Sequence, residues 1–197
     1  DSASGQGSMT PEYLSDRSTM LAWANKFNVA DGNAILRSDR NESYQFVDKS
    51  ITNSSGSNLS LTVTGRQPQL HGTPVMVVFG ADSDDALQGS DVLAGDRLYG
   101  GGGSDAIAGN AGNDYIEGNA DADTLRGSDG NDILRGGQGE DLLFGDAGYD
   151  TLSGENGADQ IEGGDGNDKL FGGSHSDILR GGSGSDILDG GTDADVL

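Results

Sequence analysis

Residues 136–171 read GGQGEDLLF GDAGYDTLS GENGADQIE GGDGNDKLF, four nine-residue units laid end to end. The first residue of each is glycine (Gly136, Gly145, Gly154, Gly163), the sixth aspartate (Asp141, Asp150, Asp159, Asp168) and the eighth leucine or isoleucine (Leu143, Leu152, Ile161, Leu170). Working outward, the phase holds without slippage from Gly100 to Asp189, ten full copies, and an eleventh breaks off at Leu197. Upstream, Gly80 to Gln88 is a degenerate copy with Asp85 and Leu87 in the key places, and Gly89 to Tyr99 carries two extra residues before Asp96 and Leu98. A short fixed period of this kind marks a solenoid, in which each repeat packs only on its neighbours. Two regions follow, residues 1–79 and the array at 80–197.

Within a unit, six glycine-rich residues can turn tightly through positive φ, and three residues centred on Leu or Ile form a very short strand. Turn, strand, turn, strand closes a coil of two units. Alternation along the strand sends the eighth position inward and the seventh and ninth outward. Coils about 4.8 Å apart would build two parallel sheets around a thin Leu/Ile ladder, and five coils from residue 100 would extend roughly 24 Å. The outward apolar residues Tyr115, Ile133, Leu142, Phe144, Phe171, Ile178, Ile187 and Val196 are expected to face solvent rather than dock against the N-terminal region or a partner.

So thin a core does not offset a backbone entropy cost of about 1–2 kcal/mol per residue, and glycine costs more. The charge says what else is needed. The chain has 33 Asp and Glu against 11 Lys and Arg, a net charge of −22, with 35 glycines and only 32% apolar residues. Residues 80–197 hold 26 acids and 5 bases, net −21, whereas residues 1–79 hold 7 acids and 6 bases, net −1. No basic patch exists for nucleic acid or anionic membrane, so the partners selected are cations. There is no cysteine, hence no disulfide or thiolate metal site. No run approaches the roughly 18 apolar residues of a membrane span, and no signal peptide opens the chain.

Alternate units fall on opposite sides of the roll, so aspartates that meet across neighbouring turns are two units apart. One edge carries Asp105, Asp123, Asp141, Asp159, Asp177 and Asp195, the other Asp114, Asp132, Asp150, Asp168 and Asp186, with Asp85 and Asp96 as outlying members. Stacked carboxylates repel unless a cation lies between them. Calcium, a hard ion taking six to eight oxygens, suits carboxylates plus turn carbonyls; magnesium demands a tighter octahedron, and zinc lacks its usual ligands, with only His71 and His175 present. Adjacent pairs give about nine sites, whose ions would bring about 18 positive charges to the segment.

The consensus GGxGxDxUx resembles the RTX (repeats-in-toxin) family over residues 80–197. The resemblance implies an all-β, right-handed parallel β-roll (β-solenoid) behind a small N-terminal α+β capping region, and several Ca2+ ions. It implies that the ions are held by the aspartates together with backbone carbonyls of turn residues such as Gly101, Gly103, Asn110, Gly112, Gly130, Gly137, Gly139, Gly148, Gly157, Gly164, Gly166, Gly182 and Gly184. At the fourth position Asp121, His175 and Asp193 replace glycine, all on the first edge. If that position needs a conformation glycine adopts most easily, first-edge sites should be weaker and the edge from Asp114 to Asp186 tighter. His175 reads as a tolerated turn residue rather than a ligand.

Before the array, Thr10, Pro11 and Glu12 form a helix start, and Leu14, Met20, Leu21, Trp23, Ala24 and Phe27 make an apolar stripe ending near Asp31-Gly32, so a helix of about 17 residues is predicted. Short strands are predicted at about Ile35 to Leu36, Tyr44 to Val47, Leu59 to Thr64 and Val75 to Phe79. The region reads as a cap over the first coil, with Trp23 and Met20 in its core. Residues 1–9 read as a tag or loose end. The array, broken off in mid-unit, reads as truncated, with a sheet edge open to edge-to-edge self-association.

No GxSxG elbow, HExxH, P-loop or His-nucleophile pairing occurs, so no enzyme activity is expected of these residues. The resemblance implies a secreted, extracellular protein exported by type I secretion, whose repeats fold on Ca2+ and stabilise or template an upstream lipase-like or toxin-like domain of the same parent chain. The alternative is a calcium-stabilised adhesive or polysaccharide-binding module.

Overall fold

The computed structural model describes residues 36–37, 43–47, 60–64, 77–80, 84–89, 91, 93 and 95–197; for 36–37, 43–47, 60–64, 77 and 79 it describes the backbone alone. The predicted helix, with Met20 and Trp23, lies outside the described residues. Among those residues all regular structure is strand: β1 (Leu36–Arg37), β2 (Ser43–Val47), β3 (Ser60–Thr64), β4 (Val77–Phe79), β5 (Ala86–Gln88), β6 (Arg97–Gly102), β7 (Ala106–Ala111) and β8 (Tyr115–Ala120). There follow β9 (Thr124–Asp129), β10 (Ile133–Gln138), β11 (Leu142–Ala147), β12 (Thr151–Asn156), β13 (Gln160–Asp165), β14 (Lys169–Ser174), β15 (Ile178–Ser183) and β16 (Ile187–Gly191).

Even-numbered strands from β4 to β16 lie in one sheet and odd-numbered strands from β5 to β15 in the other, so the chain crosses between sheets at every turn. Neighbours within each sheet are parallel and two units out of step, as in Leu134↔Leu152 and Leu143↔Ile161. The degenerate start obeys the same rule once its insertion is counted in: Val78 pairs with Leu98 and Leu87 with Ile107, each two units and the two extra residues further on. The fold is the all-β parallel β-solenoid that the period predicts. Leu98, Ile116, Leu134, Leu152 and Leu170 from one sheet face Ile107, Leu125, Leu143, Ile161 and Leu179 from the other in a single continuous core. Beyond the first coil β4 is joined by β2 in parallel, β2 by β3 antiparallel and β3 by β1 in parallel, extending the larger sheet upstream.

One expectation needs correction. The strands span six residues in most coils rather than three, because pairing runs on through the glycines of the next unit, as in Gly137↔Glu155 and Gln138↔Asn156. Turns that stack in register keep their backbone groups satisfied by the coil above and below. The outward apolar residues range from half-buried (Tyr115, Leu142, Phe144) to exposed (Ile187 58%, Val196 61%). Outward-facing Tyr99 and Glu117 are instead fully buried.

Candidate metal centre

What remains of each turn is the fourth to sixth positions. The sixth-position aspartates form one ladder along each edge: each backbone N–H donates to Oδ1 of the aspartate one coil on. The first edge runs Asp85, Asp105, Asp123, Asp141, Asp159, Asp177, Asp195 with bonds of 2.8–3.0 Å. The second runs Asp96, Asp114, Asp132, Asp150, Asp168, Asp186 with bonds of 2.7–3.0 Å. The structure thus brings together the pairs that the two-unit spacing predicts. Asp85 and Asp96 join the ladders, the two-residue insertion being absorbed before Asp96.

From Asp105 to Asp177 one oxygen of each carboxyl is thereby used and the other is not. Oδ2 of Asp105, Asp114, Asp123, Asp132, Asp141, Asp150, Asp159, Asp168 and Asp177 is buried with no hydrogen-bond partner, and none of these residues is more than 3% exposed. First-position glycine is what admits it: a Cβ on Gly136 would collide with Asp141 Oδ2. Backbone oxygens converge on the same turns. A Cβ on Gly148 would strike the Gly130 carbonyl oxygen and one on Gly164 that of Asp146, so second- and fourth-position carbonyls point along the stack into the next turn.

Every second and fourth position from Gly101 to Asp193 has positive φ, including each of the turn residues predicted to offer a carbonyl. The turn residues expected from sequence are mostly glycines, and the same backbone geometry occurs at Asn119 (φ 84°), Ser128 (81°), Asp146 (69°) and Glu155 (75°) in the second position. Position within the unit, rather than residue type, was the signal that could have found them. Asp121 (71°), His175 (82°) and Asp193 (79°) adopt it in the fourth.

Burial, opposed by the backbone hydrogen bond and reinforced by neighbouring carboxylates, raises the acids far above 3.8. Asp123 rises to about 8, Asp105, Asp132 and Asp141 to about 7, and Asp114, Asp150 and Asp159 to about 6. Asp168 and Asp177 are raised for the same reason. Because the folded values exceed the unfolded ones, the metal-free fold is stabilised below about pH 4 and loses that stability as pH rises through 6 to 8.

Nine buried acceptors without donors need a cation if they are to be ionised together at neutral pH. Among the described residues no three Asp, Glu, His or Cys side chains converge on one point, so any ion held here must draw on backbone oxygen as well. The donor set is all oxygen, paired carboxylates plus carbonyls, which fits calcium and offers nothing that zinc or a soft metal prefers. Asp Oδ2 and the second- and fourth-position carbonyls are the groups that would hold it, and the ion would supply the positive charge that the buried acids lack.

No curated protein matches this chain. The family described as RTX calcium-binding nonapeptide repeat (4 copies) matches residues 79–116, 93–125, 117–152, 144–174, 153–188 and 171–197, successive overlapping stretches that cover the solenoid from end to end. With the period, the stacked turns and the unpartnered aspartate oxygens in agreement with that match, the chain belongs to the RTX calcium-binding repeat family.

Proposed function

We propose that residues 80–197 are a calcium-dependent folding unit: a polyanion without calcium, an ordered β-roll with it. The observation that carries this reading is the two ladders of buried aspartates whose Oδ2 atoms have no donor. About nine ions bind between successive aspartates, from Asp105 onward on one edge and from Asp114 onward on the other, through their carboxylates and the turn carbonyls. At submicromolar calcium the ionised repeats are unfolded; at about 10⁻⁴–10⁻³ M, the range of extracellular modules, binding drives folding. That pairing of states suits a protein exported unfolded by type I secretion and folded outside the cell. There the roll stabilises or templates an upstream secreted effector of lipase or toxin type, and residues 1–79 cap its first coil.

Far-ultraviolet circular dichroism of the full chain at neutral pH, in millimolar calcium and in excess chelator, tests the reading. A β spectrum in calcium that collapses in chelator supports it; the same spectrum in both refutes it.

A further inference from the structure

At most turns the fourth-position N–H donates to the third-position carbonyl of the next coil, as Gly130 does to Ala147 and Gly139 to Asn156. Gly103 instead donates to Oδ2 of Asp121 at 3.1 Å, and His175 to Oδ2 of Asp193 at 3.2 Å. Where glycine gives way to aspartate at the fourth position, an exposed carboxylate is held at the mouth of the gap between coils, outside the buried sixth-position pair. At the first of these gaps the pair is Asp105 and Asp123, 3% and 2% exposed, each with an Oδ2 that no donor reaches.

We propose that Asp121 is an affinity-setting residue for the cation between Asp105 and Asp123, drawing the ion by its charge at the mouth of the gap. This rests on the calcium reading above and deepens it. Asp121 brings two effects of opposite sign. Its φ of 71° is one that aspartate tolerates less well than glycine, which weakens the turn. Its negative charge acts on both Asp105 and Asp123, which favours a divalent cation beside them. Conformational strain alone would make Asp121 a defect. Its carboxylate, although exposed, is held at the mouth of the gap by a backbone donor, and there the charge outweighs the strain.

Asp121→Asn keeps a residue suited to positive φ and removes the charge, whereas Asp121→Gly removes both charge and strain. Hydrogen exchange of the segment 97–126 in the full chain, followed by mass spectrometry across a calcium titration, reads this gap locally. Both variants should need about three- to tenfold more calcium for half-protection of the segment, with a smaller difference at high salt. An Asp121→Gly chain protected at equal or lower calcium than the unsubstituted chain overturns the proposal while leaving calcium-dependent folding intact. An unsubstituted chain whose protection ignores calcium overturns both.

Discussion

Asp141→Asn should shift the roll in opposite directions with and without calcium. The Asp141 side chain is 0% exposed, and burial raises its carboxyl from 3.8 to about 7. At about 1.36 kcal/mol per pKa unit, ionising it costs the metal-free fold about 4 kcal/mol well above pH 7. Asparagine keeps the Oδ1 that accepts from the Asp123 N–H at 2.8 Å and removes that cost, but leaves a buried amide without an acceptor, at about 1–3 kcal/mol. The net is a gain of about 1–3 kcal/mol without metal. In chelator, structure should appear on acidification, lost again as pH rises through 6 to 8. In Asp141→Asn the midpoint of that transition should lie at higher pH, and about one proton fewer should be taken up on folding. In calcium the same change removes a carboxylate from the gaps on both sides of Asp141, so the calcium midpoint of folding should rise on the order of tenfold, about 1.4 kcal/mol. Circular dichroism in the two titrations reads both arms. An unchanged acid midpoint, or folding at lower calcium than the unsubstituted chain, would refute the account of the ladders as uncompensated buried charge.

Leu143→Ala, in the middle of the core ladder at 0% exposure, should cost about 2–5 kcal/mol and appear as a lower melting temperature in saturating calcium. Gly148→Ala should cost at least about 1–3 kcal/mol, since Gly148 combines φ of 149° with the Gly130 carbonyl where a Cβ would sit. Glu155→Ala, at φ 75° with its side chain directed outward towards Arg135 at 3.7 Å, should stay within about 0.5 kcal/mol of the unsubstituted chain by the same melting assay. If Gly148→Ala were equally mild, the close stacking of fourth-position backbones would not be what demands glycine there.

The two-unit coil, the inward Leu and Ile and the pairing of aspartates all follow from one strict period, which is why the sequence discloses them. Even the insertion at Gly89 to Tyr99 could be converted into a pairing offset, and Asp85 N–H donating to Asp105 Oδ1, 20 residues on, fits it. The extent of the strands was hidden, because glycine signals a turn by composition while its hydrogen bonds are set by the coil stacked on it. Contacts between outward side chains were hidden for a related reason. Arg126 lies over the Phe144 ring at 4.6 Å and pairs with Asp146 at 2.6 Å, offsetting a charged residue held at positive φ. The pairing recurs one unit on, between Arg135 and Glu155 at 3.7 Å, but the consensus leaves the ninth and second positions free, so the repeat does not announce it. The burial of Tyr99 and Glu117 likewise depends on their place near the start of the stack rather than on their position in the unit.

The two edges stabilise their turns by different means. On the second edge, Asn113 Oδ1 accepts the Asn131 N–H, Asn131 Oδ1 that of Tyr149 and Asn167 Oδ1 that of Ser185, each at 2.8 Å. These fifth-position bonds order the turn without a cation. On the first edge Asp84 Oδ1 accepts the Ser104 N–H at 3.0 Å, but Ser104, Ala122, Glu140, Ala158, Ser176 and Ala194 follow in the fifth position with no asparagine, so the later turns lack that support. A cation on the second edge therefore meets a turn whose ordering is partly complete, and less of its binding free energy is consumed in fixing the backbone. Tighter second-edge binding is thus expected on a ground separate from glycine at the fourth position, and the gap beside Asp121 is where charge on the first edge would work against it.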